Sequence, residues 1–97
     1  MKRDEILETA KQTVCHDRNS QYGEPEDNFR RIADLWTSYL GPELPRVLTA
    51  VDVANMMILF KVARNTANFR KTDNWVDIAG YAACGGEISE SVAADGD

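Results

Sequence analysis

The stretch TAVDVANMMILFKVARN, Thr49 to Asn65, decides how this chain folds. Its first four residues have the form of a helix-capping box. The Thr49 hydroxyl can accept from the third amide of the helix, while Asp52, standing where glutamate is more usual, reaches back to the amide of Thr49. The segment that follows is apolar on nearly every face, with Val53, Ala54, Met56, Met57, Ile58, Leu59, Phe60 and Val62 close together. A helix with no side to give to water is expected at the centre of the fold, buried by its neighbours. Its polar residues form two separate patches. At 100° per residue Asp52 and Asn55 share one side, whereas Lys61, Arg64, Asn65 and Asn68 cluster within about 100° on the other.

Upstream, the spacing of Phe29, Ile32, Ala33, Trp36 and Leu40 predicts a helix from Pro25 to Leu40 with Trp36 in the core. Pro25 suits its first turn, Glu26 and Asp27 complement its positive end, and Gly41-Pro42 stops it. A polar stretch, Arg18 to Gly23, precedes it and turns at Gly23, where positive φ is free. Before that, Ile6, Leu7, Ala10 and Val14 mark an amphipathic helix from Asp4 to about Asp17. Downstream, Asp73 is expected to cap a helix carrying Trp75, Ile78, Ala79 and Ala82, whose small neighbours Gly80 and Ala83 admit another helix closely. Gly85 and Gly86 weaken its end. The tail from Glu87 has four acids and no base, and is expected to fray or be disordered. Neither period-two alternation nor a hairpin turn is present, so no strand is expected. The expected architecture is all-α: a small bundle of about four helices around a buried central helix, one domain over 1–86 and an acidic tail over 87–97. Three amphipathic neighbours do not easily cover such a helix, so homo-oligomerisation is expected to complete the fold.

At 97 residues and 43% apolar, the chain holds one core. Eleven bases against 16 acids leave a net charge of −5, which argues against coating duplex nucleic acid. The longest apolar run, Met56 to Phe60, is far short of the roughly 20 residues of a membrane span, and Met-Lys-Arg-Asp-Glu leads into no signal-peptide core. Cys15 and Cys84 stand alone in distant segments and only one histidine, His16, exists, so neither a zinc set nor a disulfide scaffold is expected. These features point to the cytoplasm, outside any membrane.

From Lys61 to Lys71 the chain has four bases and no acid. Lys61 and Arg64 leave a buried helix on adjacent turns, where their heads can converge on an anion such as phosphate. Equally, they can offset the helix C-terminus and pair with Asp73 and Asp77. Those two carboxylates, four apart, could hold magnesium with Asp52 or Glu24, or serve the bases instead. Tyr22 lies beside Arg18 and Gly23 in a polar stretch, joins no helical stripe, and is a candidate for ligand contact. No phosphate-binding glycine loop and no Ser-His-Asp set can be built, so nucleophilic catalysis is not expected.

Four motifs together resemble a family of small phage and prophage proteins: Arg18-x-x-x-Tyr22-Gly23; Asn28-Phe29-x-x-Ile32-Ala33-x-Leu35-Trp36; Asp52-Val-Ala-x-Met56-Met57 with Lys61-Val-Ala-Arg64; and Asp73-Asn-Trp-Val-Asp77-Ile-Ala-Gly80-Tyr81. The match spans roughly residues 15 to 84 and is also similar to the nucleotide-modification-associated helical domain of phage genomes. The resemblance implies a protein of the bacterial host cytoplasm that binds a nucleotide or cyclic nucleotide, sequestering signals of antiphage immunity, with Arg18, Tyr22, Lys61 and Arg64 as ligand-binding residues and no cofactor. A weaker similarity is to the all-helical MazG-like nucleotide pyrophosphohydrolases. It implies a magnesium-dependent enzyme, with Asp52, Asp73 and Asp77 standing in for that family's paired glutamates. A third alternative is an oligomeric protein-interaction module.

Overall fold

The computed structural model describes residues 1–96 except residue 18, with the backbone alone described at 19–20 and 92–96. It contains helices α1 (Arg3–Gln12), α2 (Asn19–Tyr22), α3 (Pro25–Leu40), α4 (Ala50–Ala67) and α5 (Thr72–Gly96). A π-helical turn, Thr13–Asp17, extends α1, and a 3₁₀ turn, Gly41–Glu43, follows α3. No strand occurs among the described residues. The all-α architecture expected from the sequence is the one observed.

Local chemistry sets the ends of these helices. Pro25 begins α3, where the Asp27 and Asn28 amides donate to the Glu24 carbonyl. Gly23 and Gly41, on either side of α3, both take positive φ, at 83° and 74°. The capping box of α4 forms as expected: the Asp52 amide donates to Thr49 Oγ1 at 3.3 Å and the Thr49 amide to Asp52 Oδ2 at 2.8 Å. The Thr37 hydroxyl donates to the Ala33 carbonyl and accepts from the Leu48 amide at 2.9 Å, pinning the link to α3. Asp73 lies within the first turn of α5 and does not cap it; the helix opens one residue earlier, at Thr72.

Helices α4 and α5 run antiparallel across a four-residue link, and their register follows from two contacts: Lys61 meets Asp77, and Ala54 meets Gly85. The core lies between them and α3, where Phe29, Ala33, Val53, Ala54, Cys84 and Ile88 are buried together. Trp36 packs against this cluster half-buried. A β-carbon built on Gly85 would stand 2.8 Å from the Ala54 Cβ, and one on Gly80 2.9 Å from Val14 Cγ1. Both glycines therefore set how closely α5 approaches its neighbours.

Two sequence expectations need correction. Helix α4 is central but not enclosed: only Val53 and Ala54 are buried, while Met56, Leu59, Phe60 and Val62 are 39%, 65%, 47% and 44% exposed. Helices α3 and α5 cover one side of it and leave the other bare. The last helix also does not stop at Gly86: α5 passes through both glycines to Gly96, and Ile88 is buried. Burying an isoleucine contributes about 1.5–3 kcal/mol, enough to offset the helix penalty of two glycines at roughly 1 kcal/mol each.

Candidate functional site

The turn joining α4 to α5 gathers bases and aromatic rings at one end of the molecule. Lys61 Nζ lies 2.8 Å from Asp77 Oδ2, with side chains 14% and 32% exposed. Of the two pairings open to Lys61, the structure thus uses Asp77. Arg64 instead places its guanidinium 4.5 Å from the centre of the Phe60 ring, and Arg70 sits 5.7 Å from that of Phe69. The Trp75 indole N–H donates to the Phe69 carbonyl at 2.7 Å and keeps its ring at the surface. The Arg70 amide donates to Asn68 Oδ1, tightening the link. Among the described residues, Arg64, Arg70 and Lys71 form no ion pair. A stacked guanidinium keeps its N–H fork available, so these pairs offer both flat faces and phosphate donors.

A cleft lies on the other side of Asp77. Its walls are Ala10 and Val14 from the first helical segment, Phe29 from α3, and Val76, Gly80 and Tyr81 from α5. Phe29 and Tyr81 meet there, ring centres 6.1 Å apart. Thr13, Asn28 and Asp77 supply polar groups, and half-exposed Tyr22, next to Gly23, stands at the mouth. The cleft is open at one side, and its interior volume is about 30 Å³, room for a water or two. It is a thin slot.

The residues singled out from the sequence therefore divide. Tyr22 and Asp77 line one cleft, and Lys61 joins it through its ion pair. Arg64 belongs to the aromatic turn, and Arg18 lies outside the described residues. Asp52 is taken by Arg46, with contacts of 2.6 and 2.8 Å, and the same guanidinium and the Thr49 amide hold its carboxyl well below the usual carboxylate range. Asp52 is nine residues before Lys61, about 13 Å along the helix, so it does not meet Asp77. Exposed Asp73 stands in the first turn of α5. Among the described residues, no three His, Cys, Asp or Glu side chains come together as a metal site requires. The Arg46 partnership was not foreseen, since Arg46 lies in the link rather than on a patterned helix. The aromatic pairs were missed as well, although Phe60 and Arg64 stand four apart and Phe69 directly precedes Arg70.

The far part of α5 has the opposite character. Glu24, Glu26 and Glu87 line a groove with Cys15. A hydrogen bond to Glu26 and the charges of Glu26, Glu24 and Glu90 raise the Glu87 pKa. No described helix is long and apolar enough to cross a membrane.

The chain is similar to the Gene 55 protein of Mycobacterium phage D29, 42% identical over 85 residues that cover 88% of this chain and 54% of that protein. It is also similar to the Gene 55 protein of Mycobacterium phage L5, 46% identical over 78 residues, covering 79% of this chain and 47% of that one. It thus spans about half the length of these curated relatives. No solved structure matches it. The family described as Domain of unknown function (DUF6378) matches residues 5–89, from the first turns of α1 through the buried Ile88 on α5. With that match across every helix of the bundle, and with mycobacteriophage relatives of this identity, the chain belongs to the DUF6378 family of phage proteins.

Proposed function

We propose that this protein binds a phosphorylated nucleotide and holds it without hydrolysing it. The observation that carries this is the stretch from the last turns of α4 into the α4–α5 link, which has no acid and places Arg64 over exposed Phe60 and Arg70 over exposed Phe69. Guanidinium groups suit phosphate, and the rings they lie over hold them in place by cation–π attraction. Retention rather than turnover fits carboxylates already engaged by Arg46 and Lys61. A phage protein of this kind would act by sequestration, for which a cyclic nucleotide is a suitable ligand.

The test is a thermal-shift panel of mononucleotides and cyclic nucleotides, with and without magnesium, followed by assay for released phosphate or pyrophosphate. A ligand that binds only the folded state raises the melting temperature by mass action. Stabilisation without product release is expected. Magnesium-dependent release would replace binding by hydrolysis, and no shift with any nucleotide would reject the proposal in favour of a protein partner.

The binder is proposed to work as a homodimer. A folded chain of this mass is expected to expose roughly 5,600 Å². This one exposes 6986 Å², an excess of roughly 1,400 Å² against the about 800 Å² each partner buries in an ordinary dimer. The bare side of α4 exposes Met56, Leu59 and Val62, which carry no charge. Two copies packed antiparallel there would set the acidic start of α4 against the basic end of its partner, a pairing the helix dipoles favour. Light scattering should return twice the 10.9 kDa chain mass, reverting to one in Leu59→Glu; a monomer in the unaltered protein overturns the dimer.

A further inference from the structure

We infer that the slot beside Asp77 is a recognition site for a flat heterocycle bearing an exocyclic amino group, the class that includes adenine and cytosine. It deepens the nucleotide proposal and rests on it for the identity of the heterocycle. Three observations converge. The slot is apolar and narrow, with an interior of about 30 Å³ that admits a water or two. That shape favours a ring over a hydrated or branched group. Its aromatic content is high: Phe29 and Tyr81 meet in the wall, and half-exposed Tyr22 lines it as well. Gly23, with φ of 83° and nothing within 4 Å of where its β-carbon would be, is the adjoining point at which the backbone can turn.

The third observation concerns polarity. Asp77 lines the slot while Lys61 engages its Oδ2 from the direction of α4. A carboxylate has acceptor positions on both oxygens, so one ion pair leaves capacity for an amino donor inside the slot. Lys61 holds Asp77 ionised and oriented, and the bound amine gains a charge-assisted hydrogen bond in an apolar surrounding. The Asn28 amide, on α3, can donate to a ring nitrogen. The same α5 helix therefore presents a carboxylate to the heterocycle and carries, at its start, the aromatic and basic turn suited to phosphate.

Isothermal titration with adenosine, inosine, cytidine and uridine isolates the heterocycle from phosphate, while backbone amide shifts report where each ligand sits. Adenosine and cytidine are expected to shift Thr13, Val76 and Gly80. Inosine and uridine, which carry an oxygen in place of the amine, should bind about tenfold more weakly, the effect of roughly one charge-assisted hydrogen bond. Tyr22→Ala should weaken adenosine in a chain whose circular dichroism shows that it still folds. Nucleotide binding with equal affinity for amino and oxo bases, unaffected by Tyr22→Ala, would overturn the slot and leave the nucleotide proposal standing. Adenosine binding in the slot with no gain on adding phosphate would uphold the slot and overturn the phosphate proposal. Silence with every nucleoside and nucleotide overturns both.

Discussion

Helix α5 has two ends of opposite electrostatic character. Near its start Asp77 holds Lys61, and further bases stand on the adjoining turn. Ten residues on, about 15 Å along the helix, Glu87 crowds Glu26 with Glu24 and Glu90 close by. That separation exceeds the Debye length of about 8 Å at physiological salt. The net charge of −5 is thus an average over two regions that barely sense one another, and an acidic chain can carry a local site for anions.

The largest expected effect comes from removing the basic end. Arg64→Ala should weaken nucleotide binding on the order of tenfold to a hundredfold, as loss of a charged hydrogen-bond donor does. Because Arg64 is exposed and stacks only on a surface ring, the melting temperature should not move. A fall in stability with unchanged affinity would mean that the basic end is structural.

Breaking the bond between the two helices at that end comes next. Asp77→Asn leaves Lys61, only 14% exposed, without its counter-charge, and should lower stability by about 1–3 kcal/mol in a urea titration. An unchanged midpoint would show that the pair contributes nothing to holding α4 on α5.

The glycine pair then separates packing from propensity where α5 passes from one region to the other. Gly85→Ala drives a methyl to 2.8 Å from Ala54 and should cost about 1–3 kcal/mol. Gly86→Ala meets nothing within 4 Å and should stabilise the helix by up to about 1 kcal/mol. Equal effects would show that the α4–α5 approach is looser than described. Combining Gly85→Ala with Ala54→Gly should recover part of the loss.

The smallest effect belongs to the acidic end. Glu87 binds its proton more tightly in the folded chain than in the unfolded one, so stability should rise as pH falls from neutrality into the carboxylate range. Asp52 has the opposite sign. Its depressed pKa contributes stability above the ordinary carboxylate value near about 4, and that contribution is lost as pH falls through the folded value. The melting temperature should therefore pass through a shallow maximum on the acid side, and Glu87→Gln should flatten the rise while stabilising the protein at pH 7. A monotonic fall in the unaltered chain would show that Glu87 and Glu26 do not crowd each other.

Sequence alone determined the features that depend on neighbours within one helical turn. Thr49 and Asp52 cap α4, Pro25 starts α3, Gly41 ends it and Gly23 turns the chain, because each acts through its own backbone angles or a hydrogen bond spanning three residues. Apolar spacing likewise identified four long helices and placed Phe29 and Ala33 in the core. The candidate site was legible only as separate parts: Tyr22 in a polar stretch, Lys61 and Arg64 on a helix face, Asp77 on another helix. What joined or separated those parts was packing. The antiparallel register of α4 and α5 gave Lys61 to Asp77 rather than Asp73, and the link brought Arg46 to Asp52. The close approach at Gly80 and Gly85 drew α5 against Val14 and Ala54, and the burial of Ile88 carried the helix past two glycines. Contacts between residues far apart in the chain depend on how whole surfaces fit, and periodicity along a single helix carries no record of them.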